Sequence, residues 1–352
     1  MTTIERAPMD REEHRSDAPL AEQVAQLQLN TTGKPLRLDS SVCVRRRWSV
    51  PEAYGQDVTF ITCRVSAAPD DSIVLHDFQD GALVLNRDGS TRAQLHTTKG
   101  DFTQKHIAPN NELIELCTYS KFGPWFRGNT VATRSLDGRL RRGFLLDALG
   151  SVVKGPVVRT QRDESVQVNR MVVDQYNNYH VVFADAEDPT VCHGRLNCAR
   201  IVSMTSDGLH LRTIEVVPPT NVTHMVACGD YLVLLAGHWL SGASKPVDNL
   251  LVYALDGTLV HSTAPDFTIA GHRLFYVHAF ACDQAGNLVV SFVPALPADP
   301  RYDPYDVAVV DVATLTVLSV VSSPRPVHAM AVDRHNHLLC LDWPARTVYE
   351  LY

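Results

Sequence analysis

The sequence has no excess of basic residues, no long apolar run and no Cys-x-x-Cys pair. Its 352 residues carry 32 Lys and Arg against 39 Asp and Glu, a formal net charge of −7, so we expect no nucleic-acid partner. No run approaches the ~18 apolar residues that indicate a membrane-spanning helix, so we expect no membrane contact. The N-terminal segment is charged and lacks the apolar core of a secretory signal. We therefore expect a cytoplasmic protein with reduced thiols.

Several motifs that carry known chemistry are also missing. The sequence contains no phosphate-binding loop, no Rossmann glycine pattern, no His-Glu-x-x-His and no Gly-x-Ser-x-Gly. Nucleotide-dependent, zincin-type and α/β-hydrolase functions therefore lack support. The basic run Arg45–Arg47 falls in a predicted strand, where alternate side chains face opposite sides. It does not indicate a nucleic-acid patch.

One phrase recurs six times along the chain, which is typical of a repeat architecture. Each copy has an apolar run, a turn rich in Gly, Asn and Asp, and a second β-rich run, which predicts a hairpin. The copies begin at Arg64, Gln104, Asn169, His224, His278 and His328. A second hairpin follows in most copies. In four of them its turn is Asp-Gly, which suits positive φ: Asp88-Gly89, Asp137-Gly138, Asp207-Gly208 and Asp256-Gly257. The fifth copy has Ala313-Thr314 at this turn.

Four strands in each repeat of roughly fifty residues predict an all-β, six-bladed β-propeller with four-stranded antiparallel blades. The sixth copy stops early, and residues 40–50 supply a strand with no partner of its own. We expect this N-terminal strand to complete the last blade and close the ring, which removes sheet edges. Residues 1–37 are predicted to be a disordered tail, and residues 38–352 one propeller. The alternative is a two-sheet sandwich or an irregular all-β protein.

The phrase Val-Asp-x-x-x-Asn, at Val173-Asp174 and in looser form at Val332-Asp333, resembles the repeats of six-bladed NHL-type propellers. The resemblance covers about residues 38–352 and is one of architecture, which transfers no function by itself. Among such propellers, peptidyl-hydroxyglycine lyases hold zinc in the channel with three histidines. Propellers of the gluconolactonase type use carboxylate and Asn ligands for a calcium-like ion.

The first residue of each innermost strand is expected to point toward one mouth of the central channel. Those six residues are Arg64, Gln104, Asn169, His224, His278 and His328. Imidazole is a common metal ligand, and three histidines with an open position suit a catalytic ion. His224, His278 and His328 therefore predict a divalent metal site. Zinc is favoured, with iron, copper or calcium as alternatives. The lyase resemblance implies a similar ligand set, although these three come from adjacent blades. The other interpretation is a water-filled channel.

Long loops between the second and third strands of the blades are expected at the same mouth, and such loops often carry function. Trp125, Trp239 and Trp343 can wall a pocket there, together with Gln104 and Asn169. Four further residues have side chains suited to acid–base catalysis or anion binding and are candidates for the site. They are Arg64, Tyr119, His238 and Asp342.

Two functions follow from these patterns. The first is a metal-dependent lyase, isomerase or hydrolase that acts on a small organic substrate at the channel mouth. The second is a propeller that binds a protein or glycan partner without catalysis, in which case the polar channel has no chemical role.

Overall fold

The computed structural model describes residues 35–36, 38, 44–51, 64–76, 81–95, 102–118, 129–146, 168–184, 198–238, 247–264, 266–274, 277–292 and 305–351. Their regular structure is β throughout, and it forms six four-stranded antiparallel blades. The predicted β-propeller is therefore confirmed. Within these residues, no helix is long and apolar enough to cross a membrane.

The blades follow one another along the chain. The first contains β2 (Arg64–Ala67), β3 (Ile73–His76), β4 (Ala82–Leu85) and β5 (Thr91–Leu95). The second contains β6 (Phe102–Ile107), β7 (Glu112–Thr118), β8 (Asn129–Ser135) and β9 (Leu140–Leu146). The third contains β10 (Val168–Val173), β11 (Tyr179–Ala184), β12 (Cys198–Met204) and the first part of β13 (His210–Cys228).

The second part of β13 opens the fourth blade, which continues with β14 (Tyr231–His238), β15 (Val247–Ala254) and β16 (Leu259–Ser262). A small hairpin follows, made of β17 (Thr268–Ile269) and β18 (His272–Arg273). The fifth blade contains β19 (Val277–Cys282), β20 (Leu288–Phe292), β21 (Tyr305–Val310) and β22 (Val317–Ser323). The sixth contains β23 (Ala329–Val332), β24 (Leu338–Asp342), β25 (Thr347–Leu351) and β1 (Val44–Ser49).

The ring closes as the sequence predicted. Strand β1 pairs antiparallel with β25, so Val44 lies opposite Leu351 and Trp48 opposite Val348. Each innermost strand also contacts the innermost strands of both neighbouring blades, including β23 with β2 across the seam. The first and last described strands therefore share one sheet.

Turn chemistry explains why the repeat is visible in the sequence. The four Asp-Gly turns have the positive φ that was predicted, at Gly89, Gly138, Gly208 and Gly257. The turn between the first two strands also has one positive φ in every blade, at Asp71, Asn111, Asn177, Gly229, Gly286 and Asn336. Gly, Asn and Asp tolerate this conformation best.

The Val-Asp-x-x-x-Asn phrase is a turn cap. In the third blade, Asp174 Oδ1 accepts the backbone N–H groups of Tyr176 and Asn178, at 2.9 and 2.8 Å. Its Oδ2 accepts the side-chain amide of Asn178 at 3.0 Å. Asp283 and Asp333 accept the corresponding backbone hydrogen bonds in the fifth and sixth blades. The motif therefore reflects local hydrogen bonding.

Apolar side chains fill the spaces between neighbouring blades. Leu36 and Leu38 belong to the cluster between the fifth and sixth blades, and both are buried. The backbone N–H of Leu36 donates to Asp283 Oδ2 at 2.9 Å. Leu36 and Leu38 therefore pack against the propeller.

Candidate functional site

A cavity of about 300 Å³ lies on the propeller axis, lined by the innermost strand of every blade. This volume is at the lower end of the range for small-molecule sites, about 300–1,000 Å³. Its basic lining residues come from the first four blades. They are Arg64, His76, Lys105, His106, Arg170 and His224.

The polar residues that open the inner strands also tie neighbouring blades together. Gln104 Oε1 accepts the backbone N–H of Met171 at 3.1 Å. Arg170 Nε donates to the carbonyl oxygen of Val222, also at 3.1 Å. In each case the side chain reaches the next blade along the chain. These contacts hold the polar groups at defined positions around the axis.

A β-bulge shifts the register of the third blade. The pairing of β10 with β11 skips a residue between Val168 and Arg170, so Arg170 is a cavity-lining residue. Of Asn169, the residue predicted for this position, only the backbone is described. A bulge adds a residue without a sequence signal of its own, so the sequence did not indicate Arg170.

Three more residues line the cavity, and the sequence did not indicate two of them, His106 and Lys105. His106 lies two positions after Gln104 on β6, where strand alternation predicts the same face. This alternation was the signal that could have identified His106. Lys105 is 2 % exposed and His76 is 6 % exposed. His76 Nε2 lies 3.0 Å from Ser66 Oγ.

The electrostatics of the cavity are dominated by positive charge. Burial and the charge of Arg64 lower the pKa of Arg170 to about 9, which leaves it a cation at neutral pH. Burial, Arg170 and Arg64 lower the pKa of His106 to about 4. The same three causes hold the pKa of His224 well below its ordinary value. Neutral imidazoles therefore stand beside fixed guanidinium cations at neutral pH.

The three histidines of the predicted metal site are neighbours around the ring. The rings of His278 and His328 lie 5.4 Å apart, edge to face. His224 Nε2 lies 3.3 Å from the carbonyl oxygen of His278, and its Nδ1 lies 3.4 Å from Thr223 Oγ1. Burial, His328 and Arg64 lower the pKa of His278 to about 4.

Both ring nitrogens of His224 face hydrogen-bonding groups of the protein. Within the described residues, one group of three has ligand atoms within 4.8 Å of one another, namely Asp333, His337 and Glu350. That group lies away from the three histidines, and Arg87 occupies it, 2.9 Å from Asp333 and 2.5 Å from Glu350. The three-histidine zinc site stays a prediction.

The remaining predicted residues lie outside the cavity or outside the described residues. Asp342 is buried at the end of β24, where Oδ1 accepts the N–H of Ala345 at 3.3 Å. Trp343 packs in the core between the first and sixth blades, with Arg346 stacked over its ring at 5.0 Å. Tyr119, Trp125 and Trp239 lie outside the described residues, and only the backbone of His238 is described.

The fold has counterparts among solved structures. No protein-family model matches the chain, and no curated protein matches it. The WD40 domain of Pan2 from Neurospora crassa is 10 % identical with a TM-score of 0.51, over 90 % of this chain and 97 % of that one. Hydrazine synthase from Kuenenia stuttgartiensis is 8 % identical with a TM-score of 0.51, over 82 % of this chain and 94 % of that one. A gluconolactonase from Xanthomonas campestris is 12 % identical with a TM-score of 0.49, over 90 % and 99 %.

The strand topology of the chain defines its class, a six-bladed β-propeller, and its fold is similar to that of the Pan2 WD40 domain. The neighbours include a WD40 domain and a protein named as an enzyme. The fold alone therefore does not choose between binding and catalysis, and the choice depends on the channel.

Proposed function

We propose that this propeller binds a small organic anion in its central channel and acts on it by proton transfer. The observation that carries the proposal is the juxtaposition of Arg64 and Arg170 with imidazoles in one cavity. Among the described residues, every charge that shifts the pKa values of His106, Arg170 and His224 is positive. An anion relieves that repulsion, and guanidinium groups bind carboxylates with charge-assisted hydrogen bonds.

His106 is our candidate for the proton-accepting group. It lines the cavity and is partly exposed. Its lowered pKa makes it neutral and a weak base in the empty channel. A bound anion adds a negative charge nearby, which raises the pKa of the imidazole toward the value a general base needs. Lyase or isomerase chemistry on an anionic substrate is consistent with such a base.

The experiment has a binding arm and a chemical arm. Isothermal titration calorimetry measures the affinity for acetate and benzoate of the wild type and of Arg64→Gln and Arg170→Gln. Each variant should bind about tenfold or more weakly, because hydrogen bonds to charged groups contribute about 1.5–3 kcal/mol. Arg92→Gln, which removes a surface ion pair with Asp70, is the matched control. Unchanged affinity in both channel variants would overturn the proposal.

The chemical arm uses proton NMR in D₂O on a panel of small carboxylic acids. A bound base that abstracts a carbon-bound proton reversibly exchanges it with solvent and returns a deuteron to the same carbon, so deuterium accumulates in the acid. We expect incorporation with the wild type and its loss in His106→Gln, with binding retained. Carboxylates that bind without any exchange would support a binding module and remove the catalytic part of the proposal.

The predicted zinc site is a separate proposal, and the anion site does not depend on it. Elemental analysis of the purified wild type and of His224→Ala/His278→Ala tests it directly. A stoichiometric ion that is lost in the double variant would support the three-histidine site. The same ion content in both proteins would remove these histidines from any metal site.

A further inference from the structure

The cavity has two chemically different sides. Its basic side chains come from the first four blades, as described above, and the cations among them, Arg64, Lys105 and Arg170, come from the first three. The lining residues of the fifth and sixth blades carry no charge and are mostly aliphatic or aromatic. They include Phe280, Ala281, Ala329, Met330, Ala331 and Val332. Because neighbouring blades are adjacent around the ring, this lining forms one continuous sector, which we call the apolar wall.

The division is fixed by packing. Ala329 and Ala331 belong to the core between the sixth and first blades, and Met330 belongs to the core between the fifth and sixth. The ring of Phe280 lies 5.4 Å from the ring of His224, at the border between the two sides. A ligand in this cavity therefore meets cations on one side and hydrocarbon on the other at the same time.

We propose that the anion is an amphipathic monocarboxylate, a short aliphatic or aromatic acid. Its carboxylate lies at Arg64 and Arg170, and its apolar body lies along the apolar wall. This inference rests on the proposed anion site and names its substrate class. Two forces then fix the ligand: ion pairing at one end and removal of apolar surface from water at the other.

A homologous series of probes tests the inference. The affinities of acetate, butyrate and hexanoate are measured by calorimetry, together with benzoate and with neutral 1-hexanol. Each methylene that the wall buries should tighten binding about fourfold until the cavity is full. Hexanoate should also bind much more tightly than 1-hexanol, which has one more methylene in its hydrocarbon chain and no charge.

The outcomes separate this inference from the proposed function. If no carboxylate binds, the proposed function fails. If acetate and hexanoate bind equally well, the site takes anions but the amphipathic class is wrong. If 1-hexanol binds as tightly as hexanoate, the pairing of charge and apolar body is wrong.

A variant of the apolar wall gives an independent measurement. Ala331→Leu fills part of the space beside the wall, so the ratio of hexanoate to acetate affinity should fall severalfold. If the Ala331→Leu protein does not fold, Ala331→Ser serves in its place. It puts a hydroxyl at the same position with little change in volume and should also lower the ratio of hexanoate to acetate affinity. An unchanged ratio in folded protein would overturn the placement of the apolar body.

Discussion

The Nε2 atom of His180 lies 3.0 Å from Oδ2 of Asp174, and the Nδ1 atom of the same ring lies 2.8 Å from Ser203 Oγ. These are the residue types of a nucleophilic triad. All three side chains, however, are at most 2 % exposed, so no substrate reaches the serine. The chain of hydrogen bonds joins the first turn of the third blade to its second and third strands.

His180→Leu should lower the free energy of unfolding by about 1–3 kcal/mol, because the buried serine and aspartate lose a partner. Urea denaturation followed by circular dichroism measures the change. The matched control is His210→Leu, an exposed histidine of the same blade, which should change stability by less than about 0.5 kcal/mol. Equal effects of the two variants would contradict a structural role for the buried network.

Gly286→Ala should destabilise the protein more than Gly271→Ala. Both glycines have positive φ, +85 and +81, so both substitutions carry a similar backbone penalty. A Cβ at Gly286 lies 3.2 Å from the Cα of Gly229, whereas at Gly271 nothing lies within 4 Å. The difference between the two midpoints of urea denaturation reports the close approach of the fourth and fifth blades. Identical midpoints would mean that the contact between the turns at Gly229 and Gly286 does not contribute to stability.

Arg87 joins the first blade to the seam. Its guanidinium contacts Glu350 and Asp333, which are fully or almost fully buried. Arg87→Ala leaves two buried carboxylates without this partner and should cost about 3–5 kcal/mol. Arg92→Ala breaks a partly exposed pair with Asp70 and should cost less than about 1 kcal/mol. Thermal unfolding compares them, and similar melting temperatures would argue against a seam held by Arg87.

Acid should destabilise the propeller in a pH window set by two histidines of the innermost strands, His106 and His278. Their folded-state pKa is lowered from 6.5 to about 4 at His106 and His278, so the unfolded chain binds more protons in between. The contribution of these two histidines to the free energy of unfolding is therefore fully present above pH 6.5 and is lost as the pH falls toward 4. The free energy of unfolding, measured from pH 8 to pH 4, should decline less in His106→Gln. Asp70, with a pKa lowered from 3.8 to about 2, contributes only below this window.

Anion binding should be accompanied by proton uptake. The negative charge of the ligand raises the pKa of nearby imidazoles, so a fraction of them takes up a proton when the complex forms. Calorimetry with benzoate at about pH 5, in two buffers of different ionisation enthalpy, measures the number of protons bound. An enthalpy that does not depend on the buffer would show that the histidines do not sense the anion.

The repeat could be predicted because turn chemistry is local. Asp-Gly pairs and the capping aspartates fix the hairpins within a few residues of sequence, and six copies in phase indicate a closed ring. The channel was harder to predict. The bulge before Arg170 changes which residue lines the cavity, and bulges carry no reliable sequence signature.

The metal hypothesis shows the same limit. The sequence register put His224, His278 and His328 at one position of the ring, but only His224 of the three lines the cavity, and Ala279 and Ala329 line it in the next two blades. Whether the imidazole nitrogens of these histidines can bind one ion depends on the side-chain torsion angles and on competing hydrogen-bond partners. Here the partner of His224 is the carbonyl oxygen of His278, a backbone group that no pattern of residue types reveals.

The pairing of β1 with β25 has a consequence for synthesis. Strand β1 leaves the ribosome early, whereas its partner emerges only after almost all of the other blades. Until then the ring stays open, and β1 is a strand without a sheet, able to pair with the wrong edge. Its three consecutive arginines, Arg45, Arg46 and Arg47, are exposed in the finished ring. Charged side chains on an unpaired strand edge discourage association between nascent chains. This basic run can therefore protect the chain until β25, which ends at Leu351, has been synthesised.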